Sequence, residues 1–259
     1  MTTFRQRFVG ATELPKTLTE FDVEQSFQLS KDDLDAIRKR FRTTGRLAAA
    51  IQLTVVRTTG RPLDRLTNVP RALLRSLCSA LGIQETSIAS LKTLYSRQAT
   101  LYEHQAWARQ FSGFTEVDAE VLALCAQTLG RLAGTASSVD ELVKQAEIWL
   151  FDQGRVLPGD RVLRDLAREA YLAIDQAALH TIREQVGEPG IDKAIRAVFS
   201  LRRGRTGGTV LEWLKGSPGK HGPSGLTEVT DKITFLKDLG VDQWTLDAIP
   251  NARLRSYGQ

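Results

Sequence analysis

The 259 residues carry 35 Lys and Arg against 30 Asp and Glu, a formal charge of +5, and 42% of them are hydrophobic, which suffices to bury one large core or two small ones and makes disorder unexpected. Only two cysteines are present, Cys78 and Cys125, inside apolar helical patterns with no Cys-x-x-Cys spacing, so both read as small core residues in a reducing cytosol. No apolar segment follows the basic N-terminus and no stretch approaches bilayer length, which points to a soluble, cytoplasmic chain with no membrane partner.

Apolar spacings of three and four dominate, so the expected fold is all-α. After a loose start to about Thr17, Ser30 caps a helix whose first turn holds Asp32 and Asp33 and which runs to about Arg40. A second helix from Thr44 buries Leu47, Ala48, Ile51, Thr54 and Val55, with Arg46, Gln52 and Arg57 on other faces, and ends at Thr59-Gly60-Arg61-Pro62. The next starts at Pro70 with Asn68 as its candidate cap, buries Leu73, Leu74, Leu77 and Leu81, and stops at Gly82. Arg71 and Arg75 stand four apart on its outer face. A helix, a connection and a short helix with arginines near its start is helix-turn-helix-like, although the connection is longer than the usual turn.

Helices are expected over 87–94 and 96–111, the second with Leu101, Trp107 and Phe111 inward and Arg97, His104 and Arg109 outward. Gly113 closes a first domain, residues 1–115. An alanine-rich helix over 117–132, a Ser138/Glu141 capping box and a proline-started helix after Leu157-Pro158 form a second, 116–199, which repeats the plan of the first and displays Arg161, Arg164 and Arg168. Residues 200–225 read as a basic, glycine-rich linker with a short helix over 210–214, and 226–259 as the start of a further helical region, which suggests a fragment of a longer protein. The tryptophans Trp107, Trp149, Trp213 and Trp244 suit core packing better than base stacking.

Charge is segmented along this plan. Residues 1–115 hold 17 basic and 10 acidic groups, 116–190 hold 7 and 13, and 191–259 hold 11 and 7. Ten cations between Arg38 and Arg75 face one acid, Asp64. Such a run occurs on ordinary solvated surfaces, but it also matches a polyanion-binding face, because each cation that meets a phosphate releases counterions. No convergent catalytic set is visible: His104, His180 and His221 are far apart, Gly204 to Gly208 follows no strand, and Asp32, Asp33 and Asp35 suit a helix first turn. The chain is therefore expected to be no enzyme by itself and to hold neither cofactor nor metal.

Several stretches together resemble the N-terminal region of Tn3-family transposases. They are Arg7-Phe8-Val9-Gly10-Ala11-Thr12-Glu13-Leu14-Pro15, Phe27-Gln28-Leu29-Ser30, Gly45-Arg46-Leu47 with Ala50-Ile51-Gln52-Leu53 and Gly60-Arg61, Val69-Pro70, the segment from His104 to Phe114, Trp149-Leu150 with Leu157-Pro158-Gly159, and Leu239-Gly240-Val241 with Ile249-Pro250-Asn251-Ala252-Arg253-Leu254. The resemblance implies helical domains that bind the terminal inverted repeats of a transposon, in a replicative transposase whose distant Asp-Asp-Glu domain does the cutting. On that reading Arg71, Arg75, Arg161, Arg164 and Arg168 are candidates for base edges. Arg38, Lys39, Arg40, Arg42, Arg46, Arg57, Arg61, Arg202, Arg203 and Arg205 are candidates for the phosphate backbone, and Arg65, Arg97 and Lys220 complete the DNA-binding set. The expected partner is double-stranded DNA, with the chain nucleoid-associated when bound. A regulatory module that dimerises through the helices of 116–187 and competes for ends is the alternative, homodimerisation being expected rather through the full-length protein.

Overall fold

The computed structural model describes residues 6–65, 68–85, 87–202, 208–217 and 222–257. Its regular elements are helices, α1 (Glu20–Ser26), α2 (Lys31–Arg40), α3 (Thr43–Thr59), α4 (Arg71–Leu81), α5 (Ile88–Leu94), α6 (Gln98–Phe111), α7 (Ala119–Leu132), α8 (Val139–Asp152), α9 (Asp160–Phe199), α10 (Val210–Lys215), α11 (Pro223–Asp238) and α12 (Asn251–Tyr257), with a 3-10 turn at Val241–Gln243. Extended pairing among the described residues is limited to the isolated bridges Thr115 to Arg155 and Leu201 to Thr209. The fold is all-α.

Helix α3 is apolar on nearly every side and is accordingly the central element, with α2, α4 and α6 against it. Every residue from Leu47 to Val56 is buried. Its polar side chains are satisfied internally: the Gln52 amide donates to the Leu63 carbonyl at 2.8 Å and accepts the Leu63 N–H at 2.9 Å, and Thr54, Thr58 and Thr59 donate to carbonyls one turn back. Gln52, expected on an outer face, is thus fully buried, because its amide can pin the loop that leaves α3.

Two corrections concern α6. Its buried stripe is Leu101, His104, Gln105 and Ala108, whereas Phe111 is 37% exposed. Polar residues with specific partners replace apolar ones on this face, so the apolar spacing alone places His104 outside and Phe111 inside. Helix α1 lies in the stretch after Thr17. It opens with a capping box in which Thr19 and Asp22 satisfy each other's backbone N–H, and the loop before it buries Phe8, Val9, Leu14 and Leu18. Ser30 and Asp33 cap α2 in the same way. At α4 the cap position belongs to Pro70 rather than Asn68, and among the described residues no side-chain cap bond is present there.

The chain divides into two compact units, residues 1–170 and 171–259. Within the first, Thr115 N–H donates to Gly154 O at 3.0 Å and Val156 N–H to Thr115 O at 2.9 Å, so the expected break at 115/116 falls inside this unit. Cys78 and Cys125 are both buried, as their apolar surroundings in the sequence imply. Helix α9 breaks at Gly187 (φ 70, ψ 154), two residues before Pro189. In the second unit Arg253 is fully buried, stacked on Tyr171 at 3.5 Å and 3.5 Å from Asp175, which also accepts the Tyr257 hydroxyl at 2.6 Å. No helix among the described residues is long and apolar enough to cross a membrane.

Candidate nucleic-acid interface

Helix α4 buries Leu73, Leu74, Leu77, Cys78 and Leu81 and turns Arg71 and Arg75 outward. Among the described residues no side chain caps its first turn, which is the positive end of its macrodipole. That end opens into a cleft of about 430 Å³ between Lys16, Thr17, Asn68, Pro70, Arg71 and Ile88. Two cations and a helix N-terminus together favour an anion. One turn on, Arg75 lines a different groove with Glu20 and Glu24 of α1. Neither arginine has an ion-pair partner among the described residues.

The α2–α3 corner is where the basic run begins. Arg38, Lys39 and Arg40 fill the last turn of α2, at the negative end of its dipole. Arg46 is half-buried and structural: its Nε donates to Phe41 O at 3.1 Å and a terminal nitrogen to Arg38 O at 3.4 Å, covering carbonyls that the helix end leaves unpaired. Arg40 pairs with Glu103 at 3.1 Å and Arg38 lies 3.7 Å from Asp35. Lys39, Arg42, Arg65 and Arg97 are exposed, with no ion pair among the described residues.

Two other arginines of the basic run are tied into the fold by ion pairs. Arg57 bonds Asp33 at 2.7 Å, with that carboxylate 3% exposed, and lies over the Phe111 ring. Arg61 keeps only 11% of its side-chain surface and sits between Glu147 at 3.4 Å and Asp160 at 2.8 Å. On α9, Arg161, Arg164 and Arg168 follow one helical face and are exposed, but each has an acid nearby: Asp165 for the first and last, Asp140 at 2.7 Å for Arg164. Arg202 lies 4.2 Å above the Trp213 ring. Arg203, Arg205 and Lys220 lie outside the described residues.

The structure therefore gathers Lys16 and Arg71 at one cleft, leaves Lys39, Arg42, Arg65, Arg75 and Arg97 as open charges, and sets Arg46, Arg57 and Arg61 into the fold. Lys16 escapes a sequence reading because it stands alone in a loop; its partner in the cleft is 55 positions away.

Residues 8–170, nearly the whole first unit, match a family described as a domain of unknown function (DUF4158), and the chain belongs to that family. Among curated relatives it is similar to the transposase for insertion sequence element IS1071 in transposon Tn5271 of Comamonas testosteroni, 29% identical over 253 residues, 97% of this chain and 26% of the relative. It is also similar to the transposase for transposon Tn1546 of Enterococcus faecium, 22% identical over 228 residues, 88% of this chain and 23% of the relative. The chain is a transposase-related region that spans about a quarter of the length of these relatives.

Proposed function

We propose that the chain binds double-stranded DNA sequence-specifically at the terminal inverted repeats of a transposon, as the end-recognition part of a Tn3-family replicative transposase. The observation that carries this reading is the uncapped N-terminus of α4, flanked by Lys16 and Arg71 in an open cleft, on a chain similar to two transposases. A duplex phosphate seated there meets the helix dipole and the Lys16 ammonium, and aligns the outer face of α4 with a major groove. Arg71 and Arg75 then reach base edges, while Lys16, Lys39, Arg42, Arg65 and Arg97 hold the backbone. Helix α3, its connection and α4 act as a helix-turn-helix-like reader, and the ridge of Arg161, Arg164 and Arg168 as a second contact. Arg57 and Arg61 are assigned to the fold rather than to DNA. Strand cutting belongs to sequence that the longer relatives carry elsewhere, and the working location is the cytoplasm, on the nucleoid when bound.

The test is a titration of labelled terminal-repeat duplex against scrambled duplex over a range of salt. Specific binding with a steep salt slope is expected. Arg71→Ala is expected to cost about 1–3 kcal/mol on the terminal repeat and to narrow its advantage over scrambled DNA, whereas Arg42→Ala weakens both duplexes alike and lowers the slope by about one. Equal affinity for the two duplexes in the unmodified chain would refute end recognition.

A further inference from the structure

The two helical halves of the first unit meet at a junction that has no part in the reading above. Arg61, just past the end of α3, is held between Glu147 of α8 and Asp160, the first residue of α9. Its side chain and that of Glu147 are about nine-tenths buried. Hydrogen bonds cross at the same place: Leu157 N–H donates to Gly60 O at 2.9 Å, and the Lys144 side chain donates to Val9 O. Closeness is built into both glycines. A Cβ on Gly10 would stand 2.0 Å from a Glu147 oxygen, and one on Gly60 would stand 2.9 Å from Leu157 Cγ. A tether between independent modules needs none of this; a buried ion pair, a crossing backbone hydrogen bond and the tight approach at Gly60 describe a fixed joint.

We infer that Arg61 is a positioning residue that locks α2–α6 to α7, α8 and the first turns of α9 within the first unit, so that the α4 end and the Arg161–Arg168 ridge engage a transposon end at one fixed spacing and helical phase. The inference rests on the end-binding reading, from which it takes two DNA-contacting parts. Arg61 directly precedes the connection to α4, and its partner Asp160 directly precedes the ridge, so this one guanidinium sets where both begin. Rigid coupling makes the second contact effectively intramolecular at one geometry only.

The experiment compares the full chain on the natural terminal repeat and on repeats with 5 or 10 base pairs inserted between the two protected blocks, read by footprinting and affinity. With a fixed joint, both insertions reduce protection to one block and weaken binding about tenfold or more. Continued protection of both blocks on either inserted duplex overturns the inference and leaves end recognition standing, as does a single protected block on the natural repeat. Loss of preference for the natural repeat over scrambled duplex overturns end recognition itself, and the inference with it. The double variant Arg61→Met/Glu147→Met replaces the buried pair by apolar side chains and is expected to weaken the full site about tenfold while leaving an isolated block unchanged; an equal loss on both assigns Arg61 a stability role only. A readout without DNA is amide exchange: the Leu157 N–H is expected to exchange as slowly as core amides of α3, and exchange a hundredfold faster means a joint that opens.

Discussion

Asp33 and His104 are polar side chains that the core of the first unit holds in defined protonation states. Burial by itself would raise the Asp33 pKa, but hydrogen bonds from Arg57 and from the Ser30 backbone, with the Arg57 charge, hold the carboxyl below the ordinary value of 3.8. The contribution of this group is therefore complete above about pH 4 and is lost as the pH falls through the lowered value. Arg57→Met leaves a carboxylate 3% exposed without its cation and is expected to cost about 2–3 kcal/mol in urea unfolding at pH 7, with a smaller difference from the unmodified chain at pH 3. The His104 pKa is lowered as well, but here the lowering favours the neutral form. Burial holds its imidazole below the ordinary 6.5 despite nearby Glu103, in a setting where Nδ1 meets the Tyr95 hydroxyl at 3.0 Å and Phe41 presents its edge. The Tyr95 hydroxyl also reaches Ala48 O at 3.3 Å, and burial of the imidazole favours the neutral ring. Stability is thus expected to be flat above pH 6.5 and to fall as the unfolded chain binds its proton below it, and His104→Asn should flatten that interval in a series of thermal melts. Neither His104 nor Gln52 is placed by apolar periodicity, because what buries them is a particular acceptor or donor on another element.

At the scale of elements, starts and stops marked by local chemistry were legible. Ser30 with Asp33, Gly60 and Gly82 all lie where capping rules put helix ends, and α3 announces itself by an apolar run, Leu47 to Val56, broken only by Gln52 and Thr54. Helix α1 gives no such signal, because two short turns with Phe21 exposed and Val23 buried make no periodic pattern over seven residues. At α8 the capping box is half formed: Ser138 accepts from the Glu141 N–H, but the Glu141 carboxylate turns to the backbone and hydroxyl of Ser137, which lower its pKa. Gly60 illustrates a demand visible only in three dimensions, since its φ of 76° closes α3 and its carbonyl serves the strand-like entry to α9. Gly60→Ala is expected to destabilise the first unit by about 1–3 kcal/mol, from left-handed strain plus the clash with Leu157, measurable by chemical unfolding.

For the whole molecule, the charge segmentation of the sequence foretold a basic front and an acidic middle but not their bonding. Several acids of the middle answer cations, Glu147 and Asp160 on Arg61, Asp140 on Arg164 and Glu116 on Arg109, so part of the local imbalance is consumed within the fold. Long-range pairing of this kind has no signature in linear spacing. The two units also differ in how much they bury. Among described residues of the second, the buried set is Ala178, Val210, Ile249 and Arg253, while Leu172, Leu179, Phe199, Leu201 and Leu226 are at least half exposed. With so little apolar area removed from water, this unit is expected to open first. Hydrogen exchange should therefore release most amides of 171–257 well before those of α3 and α4, and heating should give a weak early step ahead of the main transition; one coincident transition in both units would contradict this.

Both thiols are shut away, Cys78 at 3% exposure and Cys125 at 0%, the latter with its pKa pushed up to about 11 by burial. Alkylating reagents attack accessible thiolates, so the native polypeptide offers them almost nothing to modify. A single engineered surface thiol, for instance Arg42→Cys, would consequently accept a fluorophore or a photo-crosslinker alone, with no prior removal of endogenous sulfur. That makes each open cation of the basic corner separately addressable by covalent capture.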